Sequence, residues 1–323
     1  MELPLDIKEI LERLLDDYPL TELKESSFNI INKYNNQEDI SNGDNHINNE
    51  IDAKVYSVIR YPVTYKAFSD SLEYSLSHLD NIDITSVLDV GAGSAAASIA
   101  CLYQLNNLNK IDLLEKEGVM IDIGEYLLSN IDTKGVDIKY HKIDITKDDI
   151  SNYQRDLVFS SYVLNELDNK EILKVIDKMW DSTNKVLLVV EPGTPRGYEI
   201  IKLIRDHLIS KGGYILAPCP HMDKCPLSSN DWCHFSTRVA RSKLHKVLKG
   251  GDAPYEDEKY SYIAFSKSPC NRCKNRILRH PQIISGHITL EVCSKDGLNT
   301  IKVTKKDKEL FKVARKAKVG DEF

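Results

Sequence analysis

The sequence predicts an α/β protein built on a doubly wound, mostly parallel sheet. Three observations carry that expectation. Apolar, strand-like runs alternate with amphipathic helical stretches from Ser86 to Val190. The first of them, SVLDVGAGSAAASIACLYQL, joins an apolar strand through a glycine turn to an alanine-rich helix. The second, Lys110 to Leu114, ends in an acid, Glu115, at the distance past the turn where a carboxylate can take both hydroxyls of a ribose.

In chain order, Ile7, Ile10, Leu11, Leu14 and Leu15 recur at helical spacing, so residues 5–15 read as an amphipathic helix, with a second expected over Leu23 to Tyr34. NNQEDISNGDNHINNE reads as a surface loop. Helix resumes over Ala53 to Leu79, with a break expected at Tyr61-Pro62 and a stripe of Tyr65, Phe68, Leu72 and Leu76. These helices are expected to cover the sheet domain. Within that domain His141 to Ile145 reads as a third strand presenting Asp144 to an adenine, Asp156 to Ser160 as a fourth and Lys185 to Val190 as a buried fifth. Helix is expected over Arg196 to Lys211, strand over Gly213 to Ala217, one basic helix over Ser236 to Gly250, and strand over Tyr260 to Ser266. A hairpin turning through Lys295-Asp-Gly joins His287–Cys293 to Thr300–Val303. The expected organisation is a helical region over 1–80, a nucleotide-binding α/β domain over 81–267 with a cysteine-rich insertion at 217–235, and a basic β lobe over 268–323.

The glycine turn decides among nucleotides. D-V-G-A-G-S-A begins with Asp89 at a strand tip and puts a small residue, Ala95, two places after Gly93, the frame of class I S-adenosylmethionine methyltransferases. A dehydrogenase would want glycine at position 96, where Ala96 only partly serves; an empty pocket is the third alternative. The expected S-adenosylmethionine residues are Asp89, Gly91, Gly93, Glu115 and Asp144. Methyl transfer needs positioning more than a protein nucleophile, and the residues after the fourth strand, Ser160 to Leu167, are placed to face an acceptor. Asn165 and Glu166 are the catalytic candidates; the alternative is that they cap a helix starting at Glu166. Cys101 reads as a core thiol.

APCPHMDKCPLSSNDWCHF, from Ala217 to Phe235, packs three cysteines, two histidines and three prolines. Cys219, Cys225 and Cys233, with Cys293 downstream, could clip a loop to a sheet through a metal or an iron–sulfur cluster. Free buried thiols are the alternative, and zinc completed by His221 or His234 is the other occupant; spacing indicates a metal site without saying which metal. Cys270-Asn-Arg-Cys273 is a further C-x2-C.

With 41% hydrophobic and 28% charged residues and no apolar run of the ~20 residues a membrane span needs, the chain is expected to keep out of membranes. It opens MELPLDIKEILERLL, without the flanks of a signal peptide, so a cytoplasmic location is expected and a disulfide framework is not. The net charge of −6 hides an asymmetry, for Ser266 to Phe323 carries fourteen Lys and Arg against six Asp and Glu. A basic lobe on an acidic body suggests a polyanion-binding face, with Arg238, Arg241, Lys246, Lys249, Arg315 and Lys316 as its candidates.

At this point the residues resemble a family nearly end to end: the methyltransferase-like assembly factors of the mitochondrial small ribosomal subunit and their bacterial counterparts. The resemblance rests on Arg60-Tyr-Pro-Val-Thr-Tyr65, VLDVGAGSA, Asn165-Glu166-Leu167, EPGTPRGY, the cysteine run with DWCHF, EDEKYSYIAFSK, RHPQIISGHITLEVC and ARKAKVGD. It implies a methyltransferase fold that binds small-subunit ribosomal RNA and carries a 4Fe-4S cluster, whose cysteine pattern falls on Cys219, Cys225, Cys233 and Cys293. A bacterial-type, monomeric member is expected. Two functions follow: an S-adenosylmethionine-dependent rRNA methyltransferase, or a non-catalytic assembly factor using the same fold as an RNA-binding scaffold. The Cys270–Cys273 pair lies outside the family pattern, as does Ala95 where members often carry glycine.

Overall fold

The structure, a computed structural model, describes residues 2–35, 49–79, 83–228 and 230–323. The Asn-rich run expected as a loop lies mostly outside them. The chain divides into two compact units, each assembled from separated segments: Met1–Asp70, Ile84–Tyr153 and Thr237–Glu258 form one, and Ser71–Asp83, Gln154–Ser236 and Lys259–Phe323 the other.

In the first unit, helices α1 (Leu5–Arg13) and α2 (Leu20–Asn35) precede the long α3 (Glu50–Leu76). The expected break at Pro62 does not occur, since α3 runs through it. Proline there costs one hydrogen bond to the carbonyl four residues back; against this, Val58, Ile59, Tyr61, Val63, Tyr65, Phe68 and Leu72 are all buried on the same helix. Strands β1 (Ser86–Val90), β2 (Lys110–Glu115) and β3 (Asp137–Lys142) alternate with α4 (Ala96–Gln104) and α5 (Gly118–Ser129). β2 pairs in parallel with β1 on one side and β3 on the other. The apolar run of β1 is buried on both faces, as a central parallel strand must be.

The second unit holds β4 (Arg155–Ser161), α6 (Asn169–Asp181), β5 (Thr183–Pro192), α7 (Pro195–Ser210) and β6 (Tyr214–Ala217). β4 and β5 are parallel. The run expected as one basic helix over Ser236 to Gly250 is instead β7 (Phe235–Ala240) followed by the seven-residue α8 (Lys243–Lys249). Phe235, Thr237 and Val239 are buried and alternate with exposed Ser236, Arg238 and Ala240, so the period is that of a strand. β8 (Tyr255–Ser266) lies antiparallel to β5 and to β6. The crossovers and the parallel order β3-β2-β1 and β4-β5, with antiparallel β8 beyond β5 and then β6 running parallel to β5, are those of the class I S-adenosylmethionine methyltransferase fold, Rossmann-like and mostly parallel.

The C-terminal lobe is a small antiparallel sheet of β9 (Asn275–Ile277), β10 (Gln282–Ile284), β11 (His287–Ser294) and β12 (Gly297–Thr304), followed by α9 (Lys308–Lys316). Ile277, Ile288, Leu290, Val292, Val303 and Ala314 form its core. The hairpin turns through Lys295-Asp296, as the sequence predicts. Among the described residues no helix is long and apolar enough to cross a membrane.

Candidate functional site

Beyond β1 the backbone turns through left-handed conformations at Gly91 (φ 79°), Gly93 (φ 52°) and, unusually for a residue with a side chain, Ala95 (φ 67°). Gly93 is held from two sides. The Glu115 carboxylate at the end of β2 accepts its N–H at 2.8 Å, and the Tyr140 hydroxyl of β3 donates to its carbonyl at 2.9 Å. The other Glu115 oxygen accepts the N–H groups of Lys116 and Glu117 at 2.8 and 2.9 Å, which leaves the Gly93-bound oxygen a lone pair to offer a hydroxyl. A Cβ on Gly93 would meet only the Met120 methyl, 3.5 Å away, so the turn is open to close approach. This is a fit for the methionine and ribose end of S-adenosylmethionine.

Asp89 lies at the tip of β1, as expected, whereas Asp144, expected on a strand, lies past one. Asp89 is buried under α4 and accepts from the Ser98 hydroxyl at 2.7 Å; burial pushes its carboxyl up to about 7. Its visible role is to brace the helix that follows the turn. Asp144 lies beyond the end of β3, in a turn where Lys147, Thr146 and the Thr146 N–H occupy its carboxylate, and Lys147 foremost holds it down to about 2.

Asn165 and Glu166 sit on a single 3-10 turn, Leu164–Glu166. Neither caps the next helix: α6 starts at Asn169 and is capped by Asp168 in a capping box with Glu171. The turn is held from below by Glu191, fully buried at the end of β5, whose carboxylate accepts the N–H groups of Val163 (3.3 Å), Leu164 (2.9 Å) and Asn165 (3.2 Å). Burial pushes Glu191 up to about 8. Tyr162, just before the turn, has φ 61°. Asn165 Oδ1 is buried with no hydrogen-bond partner among the described residues, as befits an acceptor-positioning group. Glu191 was not singled out in the sequence; an acid ending a buried strand, before Pro-Gly, was the available signal.

All four cysteines of the family pattern line one cavity, which Arg205, His221 and Tyr198 share. β6 delivers Cys219, the loop to β7 carries Cys225 and Cys233, and β11 brings Cys293. The loop is tied down by Trp232 Nε1 donating to the Gly193 carbonyl (3.0 Å), by Ser261 donating to the Cys233 carbonyl (2.8 Å) and by an Arg279–Asp231 pair. Burial, then the neighbouring thiols, pushes Cys293 up to about 12 and raises Cys233 as well; at Cys219 burial prevails over the opposing charge of Arg205. Thiols so placed stay protonated unless a cation draws off the proton.

Arg205, on α7, is 3% exposed. Its Nη atoms serve the carbonyls of His221 and Asp223 and the Asp206 carboxylate, but among the described residues its buried Nε has no acceptor and the buried His221 Nδ1 no partner. A buried, unanswered cationic N–H beside four thiols is what an anionic, thiolate-held group would satisfy. As they stand among the described residues, no three His, Cys, Asp or Glu side chains are grouped to hold a metal ion. His234 turns elsewhere, its Nδ1 at 3.2 Å from the Trp232 carbonyl. The extra pair is spoken for: Cys270 donates to the Ile215 carbonyl and Cys273 to that of Pro218.

The basic candidates divide. Arg238 is paired with Asp257 through two hydrogen bonds (2.7 and 2.9 Å) and stacked over Tyr255, Lys249 is paired with Glu256, and Arg241 donates to the Gly250 carbonyl. Lys246, Arg315 and Lys316 form no ion pair among the described residues, and the last two are exposed on α9.

Over residues 50–323 the chain matches the family described as mitochondrial small ribosomal subunit Rsm22. It is 28% identical over 188 residues to the ribosome assembly protein METTL17, mitochondrial, of Homo sapiens, covering 52% of this chain and 39% of that one. It is 23% identical over 289 residues to the Rsm22-cox11 tandem protein 2, mitochondrial, of Schizosaccharomyces pombe, covering 73% and 38%. The chain thus spans about two fifths of the length of these curated relatives. Similar solved structures include the magnesium protoporphyrin IX methyltransferase of Synechocystis PCC 6803 with bound S-adenosylmethionine (TM-score 0.43, 14% identity, 83% of this chain and 100% of that chain). Another is an S-adenosylmethionine-dependent methyltransferase of Leishmania major (TM-score 0.44, 12% identity, 67% and 76%).

Proposed function

The chain belongs to the mitochondrial small ribosomal subunit Rsm22 family, and we propose that it is a small-subunit assembly protein that docks on small-subunit ribosomal RNA and binds S-adenosylmethionine. In this reading Cys219, Cys225, Cys233 and Cys293 hold a 4Fe-4S cluster. The observation that carries it is the convergence of these four cysteines, from segments sixty residues apart in the chain at the widest gap, on one cavity where the Arg205 Nε lacks an acceptor among the described residues. Four thiolates are the usual cluster ligands, and a cluster ligated from separated segments is also a clamp on the fold. Zinc is the competing occupant, since an all-thiolate set suits it too.

At the glycine turn, Gly91 and Gly93 would let backbone meet the methionine end while Glu115 takes the ribose. When bound, S-adenosylmethionine supplies an activated methyl group. The work left to this chain is orientation: Glu191 fixes the 163–165 backbone, and Asn165 would hold the acceptor amide or hydroxyl through its unpartnered Oδ1. Methyl transfer to rRNA is the favoured activity, with a scaffold role as the alternative.

Anaerobic purification with iron, zinc and visible-absorption analysis tests the cluster, and stoichiometric zinc without iron replaces it. Calorimetry with S-adenosylmethionine tests the turn. Methyl mapping of small-subunit RNA with and without the gene separates enzyme from scaffold.

A further inference from the structure

Three of the four cavity thiols have a side-chain nitrogen or oxygen within reach of the sulfur among the described residues. The Tyr198 oxygen lies 3.2 Å from Cys225 Sγ. His221 Nε2 lies 3.5 Å from Cys293 Sγ. The Arg205 guanidinium adjoins Cys219, and its Nε has no other acceptor. At Cys233 the tie is made by the backbone carbonyl, through Ser261, not by the sulfur.

We infer that Tyr198, His221 and Arg205 are positioning residues of the cysteine-held cluster, donating hydrogen bonds to the thiolates of Cys225, Cys293 and Cys219 and so raising its one-electron reduction potential. The inference rests on the cluster reading given above. A thiolate only accepts, so once the cysteines are ligands the hydroxyl of Tyr198 and the Nε2 of His221 must be the donors. That assignment makes His221 Nδ1 the unprotonated atom, which agrees with its having no acceptor to serve. Adding an electron to the cluster adds one negative charge while no bond to the protein forms or breaks. Donors on the sulfurs stabilise the more negative, reduced form more than the oxidised one, and a guanidinium buried to 3% exposure adds a full positive charge where screening is weak.

The test uses the full chain purified without oxygen, with iron content measured, and a potentiometric titration in which dithionite supplies the electron and electron paramagnetic resonance reads the reduced cluster. Tyr198→Phe keeps the ring and removes only the donor. It should retain iron and lower the midpoint by about 59 mV, a tenfold change in the reduced-to-oxidised ratio. His221→Phe should move it the same way. His234→Phe, whose imidazole faces the Trp232 carbonyl, should leave it in place. Arg205 is left intact because its Nη groups also hold the loop. Retained iron with an unmoved midpoint in both Tyr198→Phe and His221→Phe, or an equal shift in His234→Phe, overturns the inference alone. A wild-type protein without iron overturns the cluster reading, and the inference with it.

Discussion

Gly124→Ala separates two opposed effects at the cofactor turn. Gly124 lies inside α5, and on helix propensity alone the alanine should stabilise by about 1 kcal/mol. Its Cβ, however, would stand 1.8 Å from the Tyr140 hydroxyl oxygen, 2.6 Å from Cζ and 2.9 Å from Cε2. Contact distances of ~3.5 Å require the ring to retreat by more than an ångström. The hydrogen bond that Tyr140 donates to the Gly93 carbonyl is 2.9 Å long and cannot survive that retreat. Losing it costs about 1 kcal/mol, and overpacking adds roughly 1–3. The clash outweighs the propensity gain, and Gly124→Ala should be net destabilising by on the order of 2 kcal/mol. Tyr140→Phe, which loses the hydroxyl alone, should cost about 1 kcal/mol. Because the shortest clash is with that hydroxyl, the two changes should couple: in the Tyr140→Phe background Gly124→Ala costs less by roughly 0.5 kcal/mol or more. Urea denaturation of the four proteins, paired with S-adenosylmethionine calorimetry, reads both consequences. Additive costs together with unchanged ligand affinity in both single variants would refute the idea that Tyr140 pins the turn.

Cys225→Ser should abolish metal content and loosen the C-terminal lobe, seen as faster amide exchange in β11 and β12, whereas Cys270→Ser, which loses one hydrogen bond to the Ile215 carbonyl, should keep the metal. Glu191 makes stability depend on pH: with its folded pKa raised to about 8 from 4.5, its contribution is full below pH 4.5 and is lost as pH rises to about 8, so Glu191→Gln should flatten a thermal-unfolding profile across that window. Glu256 acts in the opposite sense: against the upward pull of burial, His245 and Lys249 hold it down to about 2, so its contribution is present above pH 4.5 and falls away below, which chemical denaturation at pH 3 against pH 5 should show. Salt titration of binding to small-subunit RNA should lose about 0.9 of log–log slope for each of Arg315→Ala and Lys316→Ala if both reach duplex phosphates, while Arg238→Ala, already neutralised by Asp257, should change it little.

The sequence was most legible where chemistry depends on local spacing. The strand–turn–helix at Gly91 to Gly93, the acid ending β2 and the Lys295-Asp296 hairpin all declare themselves within short windows, whereas Cys293 is sixty residues from Cys233 and joins the cysteine run only in the folded chain. Two misreadings have a common cause, in that a local rule was outvoted by burial. Pro62 should break a helix but lies in one whose neighbouring side chains are buried, and the arginines and lysines from 236 to 250 mimic a helical face while Phe235, Thr237 and Val239 impose a strand. Tyr140, Glu191, Arg205 and Arg276 were missed for a different reason. Each side chain acts on a backbone group distant in sequence, as Arg276 does on the carbonyls of Pro218 and Gly320, and no spacing rule encodes such a partner.

Arg205 shows why the cysteine loop and its charge belong to one device. Its Nη2 serves two carbonyls of the loop, those of His221 and Asp223, and these bonds set the path of the backbone between Cys219 and Cys225. The same side chain lines the cavity, and its Nε is buried without an acceptor among the described residues. Asp206 balances the Arg205 charge at Nη1, so what lacks a partner is the Nε–H alone, a buried donor whose desolvation costs about 1–3 kcal/mol unless an acceptor answers it, and a protonated thiol is a weak one. Ionising them without a metal would set several negative charges side by side, which the neighbouring-thiol push on Cys233 and Cys293 already opposes. In the cluster reading proposed above, a positively charged metal core would draw off the thiol protons and give the Arg205 Nε an anionic acceptor. If the four cysteines hold the proposed cluster, the loop and the anchorage of β11 should be best ordered in the metal-loaded state, and docking by the basic lobe on RNA would then depend on the cluster through folding, with no contact between cluster and RNA required.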